Sequence, residues 1–166
     1  MVIIVFGLPG SGKSYFASRL ATTISAGYIN SDVERKKFLA QRTYSEKEKS
    51  SIYTHMASIM VQTIQQGKSI VIDATFYKQR LRDLFYEKAG ETPLIFIEVF
   101  ANDELTRQRL SMKRADSDAN YVVYKKIRSQ WEPMLTPHLV LESTNDNIDR
   151  MIETAVDHIN ANRNDS

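Results

Sequence analysis

A chain of 166 residues with 42% hydrophobic and 25% charged residues is long enough to bury a core and short enough for a single domain. Its formal net charge of +2 is too small to argue for a nucleic-acid or membrane partner, and the lack of cysteine excludes disulfides, thiolate metal sites and thiol catalysis. No apolar run reaches bilayer-spanning length, and Met1 to Phe6 lacks the basic leader of an export signal, so a cytoplasmic monomer without a membrane partner is expected.

Val2 to Phe6 is a continuous β-branched and aromatic run, as expected of a strand buried on both faces. A glycine-rich loop follows. Phe16, Leu20 and Ile24 then recur at helical spacing. Gly27 to Asn30 predicts a short second strand and Asp32 to about Ala40 a polar helix. Ser45 and Glu48 form a capping-box pair ahead of the stripe Ile52, Met56, Ile59, Met60 and Ile64, which marks a long helix stopped at Gly67. Ser69 to Asp73 is another buried strand, and a helix around Lys78 to Lys88 follows it. Pro93 to Ala101 is a third long apolar strand. Two basic helical segments, about Asp103 to Lys113 and Tyr121 to Trp131, flank the polar stretch Arg114 to Asp118. His138 to Leu141 predicts a last strand, and Ile148, Ile152, Ala155, Val156 and Ile159 a closing helix. Apolar strands alternating with helices indicate an α/β domain of three layers around a parallel sheet, spanning residues 1–160 with a polar tail over 161–166.

Gly7-Leu8-Pro9-Gly10-Ser11-Gly12-Lys13-Ser14 matches the phosphate-loop pattern without a gap, with a strand before it and a helix after it. Such a loop cradles phosphates with backbone N–H groups and a helix N-terminus. Lys13 supplies a point charge to the β- and γ-phosphates, and Ser14 offers its hydroxyl to Mg²⁺. Gly7, Pro9, Gly10, Ser11, Gly12, Lys13 and Ser14 are therefore the expected nucleotide-binding residues, and ATP with Mg²⁺ the expected ligand. Asp73 ends an apolar strand as a second metal-binding carboxylate should; the alternative is a helix cap. Asp32 follows the second strand, where it would face the same crevice and could accept the proton of an attacking hydroxyl; here too the alternative is a cap. Arg35 lies one helical turn on, within reach of a substrate anion. Arg107, Arg109, Lys113 and Arg114 are cations bordering a segment, about 114–120, that could close as a lid over a transferring phosphoryl group. The histidines have no metal-ligand spacing, and Trp131 and Tyr121 are expected to pack the lid-adjacent helix against the body.

The strings GLPGSGKS, INSDVERK, SIVIDATF and RQRLSMKR, covering Val2 to Trp131, resemble the P-loop kinase group. That group includes polynucleotide kinases, zeta-type toxins, gluconate and shikimate kinases, and small AAA-type ATP-binding domains. The resemblance implies a five-stranded parallel sheet of adenylate-kinase type, order 2-3-1-4-5, with an arginine-bearing lid. It implies that Asp32 is the general base and Arg35 the contact to an acceptor anion. Arg109 and Arg114 match the lid arginines, one against the adenine or the α- and β-phosphates and the other reaching the γ-phosphate. Arg109 is assigned to the nucleotide and Arg114 to catalysis, an order that can be exchanged. The closest local match, Val71 to Phe76 with Arg82 downstream, is to the small AAA-type domains; polynucleotide kinases usually carry Asn at the position of Phe76. Arg82, with Lys78 and Arg80, is a candidate for lining an anionic acceptor site.

The expected activity is transfer of the ATP γ-phosphoryl group to a hydroxyl of a small acceptor. A polynucleotide 5′-hydroxyl kinase is the alternative that Phe76 disfavours, and a slow ATPase or nucleotide-dependent binding module is the alternative from another class.

Overall fold

The computed structural model describes residues 1–38, 45–112 and 120–164. In chain order the elements are β1 (Val2–Phe6), α1 (Lys13–Thr23), β2 (Gly27–Asn30), α2 (Ser31–Phe38), α3 (Glu46–Gln65) and β3 (Ile70–Ala74). There follow α4 (Gln79–Ala89), β4 (Leu94–Phe100), α5 (Asp103–Ser111), α6 (Tyr121–Ser129), β5 (Leu139–Glu142) and α7 (Ile148–Asn164). All five strands are parallel, in the order β2-β3-β1-β4-β5.

The alternation of side chains along β1 creates the three layers. Val2, Ile4 and Phe6 point to one face and pack with Ile52, Met56 and Met60 of α3 and Leu81 and Phe85 of α4. Ile3 and Val5 point to the other and pack with Phe16, Ala17 and Leu20 of α1 and Met151, Ala155 and Ile159 of α7. Every residue of β1 is fully buried, which is why that strand reads as an unbroken apolar run rather than an alternating one.

Local chemistry sets the boundaries. The side chain of Ser45 accepts from the backbone of Glu48 at 3.2 Å, which starts α3 where the capping pair predicts. Asn120 caps α6 in the same way, accepting from the N–H groups of Val122 and Val123. β5 begins one residue later than expected, since its pairing with β4 starts at Leu139 opposite Ile97; His138 instead places its ring nitrogens by Thr136 O and Glu98 Oε2. The polar tail is shorter than expected. Helix α7 continues to Asn164, where Asn162 donates to the carbonyl of His158 at 2.8 Å and Arg163 stands in the last turn, favourably placed against the helix dipole. Of the predicted lid, about 114–120, only Asn120 lies within the described residues; Lys113 and Arg114 fall outside them.

Candidate active site

The phosphate loop joins the end of central β1 to the start of α1. Gly7 has φ 154° and Gly12 φ 89°, conformations that residues with a Cβ rarely adopt. Space also demands glycine. A Cβ on Gly7 would come 2.1 Å from the carbonyl oxygen of Val99, and one on Gly12 would come 2.7 Å from Ser143 Oγ and 2.9 Å from Arg109 Nη1. The back of the loop is thus pressed against β4, α5 and the end of β5. Inside the loop the Ser11 N–H donates to Leu8 O at 3.2 Å. Lys13 and Ser14 open α1, so both functional side chains leave from its positive end.

Asp73 is fully buried at the penultimate position of β3, where its register partners are Val5 of β1 and Asn30 of β2. Strands side by side in register bring Asn30 against Asp73, and Asn30 Nδ2 donates to Asp73 Oδ2. Tyr28 donates its hydroxyl to the same oxygen at 2.9 Å. Asn30 Nδ2 also reaches Ser14 Oγ at 3.3 Å, so the hydroxyl and the carboxylate stand on either side of one amide. The other carboxylate oxygen, Asp73 Oδ1, is buried with no hydrogen-bond partner among the described residues. A bare buried carboxylate oxygen beside a hydroxyl has a donor set suited to a hard divalent cation such as Mg²⁺. Among the described residues no group of three or more His, Cys, Asp or Glu side chains could hold a metal ion by itself.

Asn30 also caps α2. Its Oδ1 accepts from the N–H groups of Asp32 at 2.9 Å and Val33 at 3.1 Å. Asp32 is therefore not the cap of α2. Arg35 Nη1 donates to Asp32 Oδ1 at 2.8 Å. The Arg35 side chain is only 9% exposed and also faces Glu48 Oε1 at 3.2 Å, so it is held between a carboxylate of α2 and one of α3. Asp32 is 40% exposed in its side chain.

Arg109 leaves α5 and closes on the loop from behind. Its Nη1 donates to Ser11 O at 3.1 Å and Ser143 Oγ at 3.0 Å, and its Nη2 to Thr144 O at 2.9 Å. Arg107 instead covers the ring of Tyr121 at 4.9 Å from its centroid. On the β4 side, Leu8 and Pro9 line a cleft with Glu98, Tyr124 and Trp131. Trp131 stacks on Phe6 with centroids 6.0 Å apart, which pins the end of the α6 segment to the core.

Arg82 does not line an acceptor site. It is fully buried and donates to the carbonyls of Phe76 at 2.8 Å and Glu132 at 2.8 Å, and to Gln79 Oε1. Burial pushes its pKa down while Glu132 and Asp83 push it up. Phe76 explains this demand. It adopts φ 46°, unusual for a bulky residue, and its N–H donates to the Tyr53 hydroxyl at 3.0 Å. Its ring packs edge-on against Tyr53 and Phe85. Burial drives the Tyr53 hydroxyl well above its ordinary pKa, so it stays neutral.

A family model described as "AAA domain" matches residues 2–134. The chain belongs to the AAA-domain family. Among solved structures, this AAA domain resembles a sugar kinase from Janibacter sp. HTCC2649 (TM-score 0.76, 18% identity, 96% of this chain and 94% of that one). It resembles the Mycobacterium tuberculosis APS kinase in complex with AMPPNP and APS (TM-score 0.73, 15% identity, 96% of each chain). It also resembles a gluconokinase from Sinorhizobium meliloti 1021 (TM-score 0.68, 14% identity, 95% of this chain and 96% of that one). Its fold is that of the P-loop kinases, with the sheet order the resemblance implied.

The sequence reading missed Asn30, Tyr28, Ser143 and Thr144 in this AAA domain. Asn30 carried a usable signal, since a polar residue ending a strand two before a carboxylate is well placed to cap the next helix. Ser143 and Thr144 carried none, because only the sheet order brings the end of β5 behind the loop.

Proposed function

We propose that the chain is a Mg²⁺-dependent phosphotransferase that moves the γ-phosphoryl group of ATP to a hydroxyl of a small-molecule acceptor. The observation that carries this reading is Asp32: a carboxylate released from capping duty by Asn30, at the end of a strand two places from the phosphate loop, in the crevice where an open parallel sheet binds ligands. A hydrolytic switch has less need of such a group. That the fold accommodates both AMPPNP and an acceptor, APS, in one solved relative supports the same reading.

In this mechanism the loop amides and Lys13 hold the phosphates of ATP, and Arg109 fixes the nucleotide side of the loop. Ser14 and Asp73 are the residues that would hold Mg²⁺, which when bound would supply charge neutralisation to the phosphates. Asn30 and Tyr28 keep Asp73 turned so that Oδ1 stays bare. Asp32 takes the acceptor proton as the hydroxyl oxygen bonds to the γ-phosphorus and the bond to the β-bridging oxygen breaks, releasing ADP. Arg35 holds Asp32 in place, and Arg114 is assigned to the charge on the transferring group. Phe76 offers the acceptor no side chain, because its ring is fully buried.

An acceptor screen over sugars, aminoglycosides, nucleosides and 5′-hydroxyl oligonucleotides, read by ADP release and product mass, is the direct test. Asp32→Asn should lower turnover of the best acceptor by about 100-fold or more while Mg-ATP affinity is retained. Unchanged turnover would remove Asp32 as the base. Labelling of the oligonucleotide alone would move the assignment to a polynucleotide kinase, and ADP release with no acceptor modified would leave an ATPase.

A further inference from the structure

Glu98 stands near the end of β4 as the register partner of Phe6, the last residue before the phosphate loop. Its side chain is 23% exposed, and its Oε2 lies 3.1 Å from His138 Nε2. The His138 ring is itself held, with Nδ1 2.7 Å from Thr136 O and its centroid 5.6 Å from that of Phe6. The carboxylate is thus oriented through one oxygen. Among the described residues the other, Oε1, has no hydrogen-bond partner.

Phe6 also carries the stacked indole of Trp131, so both groups are fixed on one core ring. The backbone N–H of Trp131 donates to Arg128 O at 3.2 Å, and that of Glu132 to Tyr77 O at 2.8 Å, which holds the segment bearing the indole. Glu98 and Trp131 meet in the cleft that Leu8 and Pro9 of the phosphate loop close on one side and Tyr124 helps to line. The Tyr124 hydroxyl is already engaged, donating to Asp103 Oδ1 at 3.3 Å and accepting from Arg128 Nη1 at 3.1 Å. What Tyr124 offers the cleft is its ring.

This lining selects a ligand by chemistry. A carboxylate oxygen only accepts, so a group seated on Oε1 has to donate; an ionised phosphate or carboxylate there meets like charge instead. The two lone pairs of one oxygen suit two neighbouring hydroxyls. The aromatic rings, with Leu8 and Pro9, favour C–H surface. A saturated ring with hydroxyls on its rim and C–H groups on its faces meets both demands.

We infer that the cleft between Glu98 and Trp131 is a subsite for a neutral polyhydroxyl ring of the sugar class. Naming that ring as part of the acceptor rests on the phosphotransferase reading above. Glu98 is then a residue that binds and selects, while the proton of the reacting hydroxyl remains the task of Asp32.

Trp131 is the single tryptophan of the chain, so its emission reports on the cleft directly and without turnover. The full chain is titrated with three pairs, glucose and glucuronate, galactose and galacturonate, mannose and mannuronate, and with cyclohexanol as a ring lacking neighbouring hydroxyls. Each titration is run with and without Mg-AMPPNP. At least one neutral hexose is expected to change the emission saturably, with its uronate and cyclohexanol each binding about tenfold more weakly or not at all. Glu98→Gln, close in size, should weaken the same hexose by about tenfold. No saturable change with any hexose, equal affinity for a hexose and its uronate, or unchanged affinity in Glu98→Gln overturns the subsite. The comparison of hexose with uronate needs only the natural chain, so it decides even where the variant fails to fold. Calorimetry of Mg-AMPPNP binding reports on the nucleotide half separately, so failure of the sugar subsite is distinguishable from failure of the phosphotransferase reading.

Discussion

The amide of Asn30 donates to Asp73 and Ser14 on one side and accepts from the backbone of Asp32 and Val33 on the other. One planar group therefore sets the spacing between the metal-binding pair and the proposed base. Asn30→Ala removes a helix cap worth about 1 kcal/mol. It also frees Asp73 to turn Oδ1 out of place. Loss of a group that orients a metal ligand costs roughly 10- to 100-fold in affinity. The expected result is a weakening of that size in Mg²⁺-dependent nucleotide binding, with binding in chelator nearly unchanged, measured by fluorescent-nucleotide titration. Equal loss in both conditions would reduce Asn30 to a structural cap.

At the scale of elements, the turn between β3 and α4 matters because it follows Asp73 directly. Phe76 sits at φ 46° with both backbone groups taken by side chains, Tyr53 for its N–H and Arg82 for its carbonyl. Arg82 also ties this turn to the segment after α6 through Glu132 O. Arg82→Met keeps the apolar stem but strands several buried acceptors, each costing about 1–3 kcal/mol. A total near 3 kcal/mol would lower the melting temperature by roughly 6–12 °C for a chain of this size. The variant should refold and still bind nucleotide at low temperature, as checked by thermal denaturation beside ATP titration. A rise in acceptor KM or a fall in kcat without loss of stability would return Arg82 to the acceptor site.

For the molecule as a whole, a nucleotide bound as proposed would bridge parts that come from separate stretches of the chain: the loop after β1, the end of β3, α5 and the loop after β5. Mg-ATP at about 100 times its dissociation constant stabilises the native state by about 2.7 kcal/mol, enough to raise the melting temperature by roughly 5–10 °C. Chelation of Mg²⁺ should remove much of that rise, and Asp73→Asn should reproduce the effect of chelation in the presence of the metal. Calorimetry in the two buffers checks both. An identical shift with and without metal would mean that Asp73 and Ser14 do not hold it. Among the described residues no helix is long and apolar enough to cross a membrane.

The sequence alone determined the phosphate loop, because eight consecutive residues with a strand before and a helix after need no distant partner to be read. It determined the layers too, since an unbroken apolar strand has to be covered on both faces. It located Asp32 and Asp73 by their places at strand ends, but could not separate a cap from a functional carboxylate. The structure shows that Asn30, not Asp32, fills the cap of α2, and that the strand register gives one oxygen of Asp73 two donors and leaves the other with none among the described residues; the roles proposed for both carboxylates rest on those contacts. Arg82 and Arg109 look alike in sequence, as helical arginines downstream of motif strands. Packing buries the first in the core and sends the second to carbonyls and a hydroxyl 34 to 98 residues away. The meeting of Glu98 with His138 is equally absent from the string, 40 residues separating the two. Contacts of this kind follow from strand order and helix docking, and a side chain's task is set by which elements the fold brings within hydrogen-bond reach.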